Sequence, residues 1–455
     1  MANTYLSATL GTATNRKKWT YSAWVKKSRP FASIDEQIFG SYADATTSYY
    51  SRIADNGSKK FEFTEYNGSG YSINLRPTNL QVDTHGWYHI VVAYDSTQAT
   101  ASDRVNIYIN GEIVTSWSQE TYPSLNYESG INKNQLHTIG KETSNSSYYY
   151  DGAMSHIHFC DGTQYAASDF GQTDATTGEW IIKTSPSVTY GNNGFFILKD
   201  GNSVTDQSGQ GNNWTVGGGT LTKTEDNPSN VFATLNASVK KVSSMSFSNA
   251  NTTITTSGSQ WEGSVTTLAP TKGKWYWEAK YNTGSGIKLD IARWTADLRN
   301  MATANNSYLA YHGDGYGYQL NNSGTDYYCS NNSCTTWNSN VNGNSTKIYM
   351  VAVDLDNGKM WIGADGTWAN KTGTANPVTG DDPLHDFSGK INGEPWLFSM
   401  SVEGGSGSHN ANFGNGYFGT TAVSSAGTNA SNVGIFEYNV PTGYTALCTK
   451  GLNSF

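Results

Sequence analysis

Apolar residues recur at every second position through much of this chain, and no long stretch carries the 3.6-residue period of an amphipathic helix. A strand sends successive side chains to opposite faces, so the pattern describes strands with one packed face. Val105, Ile107 and Ile109 alternate with polar or amphipathic partners and run into Asn110-Gly111 before Ile113-Val114 resumes. Asn-Gly readily adopts the positive φ angles of a two-residue turn, which predicts a tight hairpin. In the second half Trp275, Trp277, Ala279 and Tyr281 alternate in the same way, and residues 348–355 lead through Asp356-Asn357-Gly358 into Lys359, Met360 and Trp361. That predicts another hairpin, with Asn-Gly supplying the positive φ angles. Residues 19–25 and 87–94 are denser in apolar side chains, as strands covered on both faces are.

A chain of 455 residues exceeds one compact core and suits two domains. The turn formers Asp226, Asn227, Pro228, Ser229 and Asn230 follow the glycines at 217–219, which places the domains at 1–222 and 223–455. The expected fold class is all-β, two antiparallel jelly-roll-like sandwiches in tandem. With 29 basic against 37 acidic residues the net charge is −8, shared between the halves, so no nucleic-acid partner is expected. Arg16, Lys17, Lys18, Lys26, Lys27 and Arg29 form a local basic cluster, read as the solvated side of a first strand pair. Met1 to Gly11 is polar and soon reaches that cluster, so neither a signal peptide nor membrane insertion is expected. Four cysteines lack zinc-type spacing, consistent with synthesis in a reducing cytoplasm. Cys329 and Cys334 flank a short polar turn; they could close a hairpin in an oxidising exterior, but two free thiols are the simpler reading.

The first strands, with Tyr5-Leu6-Ser7 and residues 15–27 (NRKKWTYSAWVKK), resemble the laminin-G-like, concanavalin A-like domains of marine phage structural proteins. The resemblance continues through residues 87–92, 107–112, Ile139-Gly140 and 150–157, and residues 170–174, 206–214 and 226–230 look like the segment that follows this domain there. The second half is similar to SPRY domains at residues 273–278, 316–318, 351–362, 366–368 and 412–414. The resemblance implies a non-enzymatic virion component, a tail fibre, spike or exposed capsid protein assembled in the host cytoplasm. Its implied partners are other virion proteins, a host-surface carbohydrate or protein, and further copies of itself. A structural decoration or assembly role is the alternative.

Catalysis of glycan hydrolysis turns on the carboxylates, because glycosidases need two on one strand face. Glu62 and Glu65 have odd spacing and point to opposite faces of a regular strand, while Asp354 and Asp356 belong to a hairpin corner. A glycan hydrolase is therefore the least favoured reading. Calcium at Asp151, or zinc at His156 and His158, lacks a ligand set in sequence, so no metal and no cofactor is expected. Aromatic side chains in or beside Gly/Asn/Ser-rich stretches are the better lead, since aromatic faces stack on sugar C–H surfaces while Asn and Ser satisfy hydroxyls. The candidate ligand-binding residues are Tyr148, Tyr149, Tyr150, Trp294, Tyr311, Tyr327, Tyr328 and Trp337. Tyr316 and Tyr318 are read as core or strand residues.

Overall fold

The computed structural model describes residues 3–29, 34–42, 49–142, 148–199, 203–239, 244–295, 309–311, 314–322, 324–331, 333–337, 340–341, 343–344, 346–403 and 406–455. It divides into two compact units, Met1–Lys223 and Thr224–Phe455. Each is a sandwich of antiparallel sheets, and helix is confined to single short turns among the described residues.

In the first unit an eight-stranded sheet runs in the order Trp117–Thr121, Tyr71–Pro77, Phe61–Tyr66, Tyr50–Asp55, Glu36–Tyr42, Leu136–Ile139, Tyr5–Thr9, Thr215–Gly218. A six-stranded sheet runs Phe195–Ile197, Gly152–Asp161, Lys18–Lys27, Tyr88–Asp95, Val105–Ile109, Glu112–Ile113. Their inner faces meet in one core. Trp19, Tyr21, Ala23 and Val25 from the Lys18–Lys27 strand meet Phe39, Ile53, Phe61 and Phe63 from the other sheet there. Trp19 stacks on Tyr94 at 5.0 Å and meets Phe63 edge-on at 5.5 Å. The dense apolar run at 87–94 has its expected cause. Ile90, Val92 and Tyr94 fill this core, while Val91 packs with Cys160, Ala167 and Phe170 on the outer face.

The hairpin at Asn110-Gly111 forms as the alternation predicts, with φ of 50° and 84° at the two turn residues and Ile109 opposite Glu112. The second hairpin differs. Asp354 pairs with Lys359, so the loop spans four residues and only Gly358 takes a positive φ, of 64°. The reason is the Asp354 carboxylate, which accepts the amides of Asp356 and Asn357 at 3.0 Å each and the Asn357 side chain at 2.8 Å. It holds the longer turn in place of the two-residue one.

In the second unit the largest sheet runs Met245–Ser248, Thr253–Thr256, Gly407–Asn412, Lys274–Thr283, Ile348–Asp354, Lys359–Ala364, Thr367–Trp368, with His385–Asp386 and Thr445–Ala446 attached at its sides. It faces a six-stranded sheet, Glu262–Val265, Trp396–Glu403, Gly286–Arg293, Gly315–Asn321, Asp326–Ser330, Ser333–Trp337. Trp275, Trp277, Tyr281, Tyr318 and Trp396 fill the space between them. The large sheet is buried on its outer face too, where Tyr276, Met350 and Trp361 lie under Phe436 and Tyr444. Glu278 ties that covering segment down. Its carboxylate accepts the amides of Glu437 and Tyr438 at 2.9 and 2.8 Å and the Tyr276 hydroxyl at 2.9 Å.

The basic cluster divides: Arg16, Lys17 and Lys18 stay partly exposed, and its second half turns away from solvent. Lys26 and Lys27 are each 2% exposed, and Arg29 is ion-paired to both Glu36 and Asp151. Lys27 follows Val25 by two residues and so points inward with the core; the alternation carried straight on through the charged residue.

Two outcomes test this architecture. Glu278→Gln turns one acceptor oxygen into an amide that faces donors, and should cost about 1–3 kcal/mol in chemical denaturation. Burial lowers the imidazole pKa of His137, His385 and His409 to about 4 in each case. Unfolded histidine binds its proton near 6.5, so each residue contributes stability that is present above that pH and is lost as pH falls towards 4. Ring-carbon NMR should show these three neutral in the folded chain at pH 5; midpoints near 6.5 would contradict their burial.

Candidate functional site

On the second unit's six-stranded sheet, Tyr316, Tyr318 and Leu320 point into the core, so the intervening Gly315, Gly317, Gln319 and Asn321 face outward. The neighbouring strands send Lys288, Asp290, Ser399, Ser401 and Glu403 the same way, by their pairing with Gln319, Gly317 and one another. At the Asn321 end of this face lies an open hollow of about 640 Å³, bordered by Gly284, Ser285, Gln319, Asn321, Asn322, Tyr327, Cys334 and Glu403.

The walls are fixed by hydrogen bonds and covalent chemistry. Gln319 donates its side-chain amide to Asn321 Oδ1 at 3.0 Å, and Asn321 Nδ2 donates to the Thr325 carbonyl at 2.8 Å. The backbone amide of Ser285 donates to the Glu403 carbonyl, and that of Asn322 to the Ser285 carbonyl, both at 2.9 Å. Gly286 admits the close approach of Trp261 and Asn321, since a Cβ there would lie 2.7 Å from the Trp261 ring and 2.9 Å from Asn321 Oδ1. Cys329 and Cys334 sit directly opposite each other in the last hairpin and are disulfide-bonded, with Cα atoms 4.1 Å apart. The simpler expectation of two free thiols is thus corrected: the register of the two strands brings both sulfurs to one face.

Charge at the hollow is balanced locally. Burial raises the Glu403 carboxyl above its ordinary pKa, and Lys288 opposes that shift. The Lys288 ammonium lies 4.3 Å from the centre of the Trp261 ring, and burial pulls its pKa down. What the hollow offers a ligand is amide donors and acceptors, a hydroxyl, one carboxyl and the half-buried Tyr327 ring.

Of the aromatic candidates, Tyr327 alone borders this hollow. Trp294 is 58% exposed but sits just past Arg293, the far end of the strand whose first residue pairs with Asn321. Tyr328 turns to the opposite face, half-buried beneath the Lys371 ammonium at 4.8 Å. Tyr311 closes a one-turn helix, and its side chain lies outside the described residues. In the first unit Tyr148 and Tyr149 are half-buried, and Tyr149 shares the Lys141 ammonium with Tyr5. Two candidates are core residues and must be withdrawn as ligand contacts. Tyr150, 5% exposed, belongs to the first core, and Trp337 packs edge-on against Tyr318 at 5.2 Å. Both occupy inward positions, which a polar neighbourhood in sequence does not reveal. Gln319, Asn321 and Glu403 were missed, although the alternation opposite Tyr316 and Tyr318 marks the first two as outward.

The other residues weighed for chemistry have structural partners. Glu62 is bound by Arg52, Arg76 and Asn56, whereas Glu65, on the opposite face, accepts from Tyr127, Ser129 and the Gly130 amide. Asp356 accepts the Gly273 amide. Asp151 pairs with Arg29, His156 contacts Ser155, and His158 stacks on Phe196 at 3.9 Å. Among the described residues no group of three or more His, Cys, Asp or Glu could hold a metal ion.

Residues 1–168 match the family described as the concanavalin A-like lectin/glucanases superfamily, so the first unit carries a lectin-like sandwich domain. Similar solved structures include the SPRY domain of human HERC1, at 8% identity and a TM-score of 0.29 over 39% of this chain and 96% of that one. The TRIM65 PSpry domain aligns at 12% identity and a TM-score of 0.30 over 40% of this chain and 88% of that one. Stonustoxin aligns at 16% identity and a TM-score of 0.26 over 37% of this chain and 26% of that one. A search of curated proteins found no match.

If the disulfide holds the wall of the hollow, reduction should speed backbone hydrogen exchange across residues 326–337 at least tenfold and leave residues 18–27 unchanged. Equal exchange in oxidised and reduced protein would show that strand pairing alone suffices.

Proposed function

We propose that this protein is a non-enzymatic recognition component of a phage particle, adhering to a neutral carbohydrate of the host surface through the hollow beside Tyr327. The observation that carries this reading is the composition of that hollow: side-chain amides from Gln319, Asn321 and Asn322, one carboxyl and one phenol ring, all set on or beside strands of a packed sandwich. Amide and carboxyl groups bridge vicinal hydroxyls, and an aromatic ring takes the apolar face of a sugar. A lectin-like domain in the same chain supports a binding role. The phage assignment rests on the resemblance of the sequence motifs to those of virion proteins, and under it other virion subunits and further copies of this chain are the neighbours.

The absence of catalysis is part of the proposal. Glu62, Glu65, Asp354 and Asp356 are each held by structural partners, and none lines the hollow.

The test is binding of the full chain to a panel of neutral and acidic host-surface polysaccharides. Neutral glycans should bind, and Tyr327→Ala or Gln319→Ala should weaken binding at least tenfold without lowering thermal stability. Binding unaffected by both substitutions would remove the hollow from the mechanism. Release of reducing sugar from a bound polysaccharide would overturn the non-enzymatic reading.

A further inference from the structure

The inner face of the first sandwich carries charge at one end. Lys27 continues the inward series Trp19, Tyr21, Ala23, Val25 on its strand, and Asp55 continues Ile53 on a strand of the other sheet. The two side chains meet between the sheets. Lys27 Nζ lies 2.5 Å from Asp55 Oδ2, with the side chains 1% and 0% exposed. The ammonium also donates to the Gln81 carbonyl at 2.5 Å and lies 5.3 Å from the centre of the Phe61 ring.

A buried ion pair is tolerated when further hydrogen bonds satisfy both partners. Here they do not. Among the described residues no backbone amide or hydroxyl donates to either oxygen of Asp55, whose other contact is the Lys59 ammonium at 3.8 Å. Burial drives both partners towards neutrality, lowering the Lys27 pKa and raising that of Asp55. A proton moved from Lys27 to Asp55 leaves an amine beside a carboxylic acid, both side chains buried between the sheets.

We propose that Lys27 and Asp55 condense to an intramolecular amide that covalently joins the two sheets of the first sandwich. The Lys27 Nζ lone pair attacks Asp55 Cγ and forms the C–N bond; the acid's hydroxyl leaves with a proton taken from the nitrogen, and the products are one amide and one water. No oxidant, reductant or activated donor is required. Glu36 stands directly opposite Asp55 in the neighbouring strand and is the carboxyl placed to relay that proton. One of its oxygens is held by Arg29 at 2.6 Å, while among the described residues the other receives the distant Asp151 amide at 3.5 Å. The Lys59 ammonium lies 3.8 Å from the same Oδ2 that faces Lys27.

Intact mass of the folded, full-length protein after incubation at neutral pH tests this directly. The expected mass is lower than the sequence value by one water, and digestion should release a branched peptide joining a Lys27 fragment to an Asp55 fragment. Lys27→Arg should restore the full mass. Glu36→Gln should slow the loss of water at least tenfold while circular dichroism stays native; an unchanged rate would overturn the relay assigned to Glu36. A wild-type mass equal to the sequence value overturns the proposal. So does a water loss that persists in Lys27→Arg, or one that maps to a single linear peptide, because cyclisation of Asp55 onto the Asn56 amide to a succinimide would lose the same water without a cross-link.

Discussion

Each unit depends on the packing of one sheet's inner face against the other, because neither sheet can satisfy its apolar side alone. Large aromatic residues dominate that contact. In the first unit Trp19 and Tyr94 from one sheet meet Phe63 from the other, and in the second Trp275, Trp277 and Tyr281 from one sheet share a core with Tyr318 and Trp396 from the other. Once these faces are joined, every second residue on each strand has its direction fixed. Polar groups at inward positions are buried whatever their sequence neighbours, and polar groups at outward positions become the surface.

That constraint explains what could be read from sequence. The all-β class and the Asn110-Gly111 turn follow from period and turn chemistry, which are local properties. Exposure is not local. Tyr150 and Trp337 stand in polar, glycine-rich surroundings and still occupy core positions, Tyr150 just before the Gly152–Asp161 strand and Trp337 at the end of a strand whose direction is set by the sheet it joins. Only parity along the strand distinguishes such residues. It places Tyr327 outward and Tyr328 inward although the two are adjacent, and it would have selected Gln319 and Asn321 from the glycine-tyrosine alternation before them. The second hairpin failed for a different reason: a side chain, Asp354, took over turn hydrogen bonds that the dipeptide rule assigns to backbone geometry.

The same logic separates the two places where chemistry concentrates. At the hollow, polar residues occupy outward positions beside solvent, so the arrangement costs the fold little and places polar groups where a ligand could meet them. At Lys27, Asp55 and Glu36, charged residues occupy inward positions in the first core, where desolvation opposes every charge. The basic run at the start of the chain looked like surface because charge runs usually are. Its last lysine is instead the point at which the two sheets come into electrostatic contact.

An inward lysine facing an inward aspartate is unstable as an ion pair without further donors, yet substitution of either residue alone would leave an uncompensated charge in the core. The pair is therefore held in a state that can be relieved in two ways, by hydrophobic replacement of both residues or by a reaction that removes both charges. Condensation takes the second route and adds what a hydrophobic pair cannot, a covalent link between sheets otherwise joined by side-chain packing. If the chain grips a surface while attached elsewhere, as the proposed function requires, tension applied between its ends tends to separate packed faces. A bond across the core would then resist the motion that packing alone opposes least.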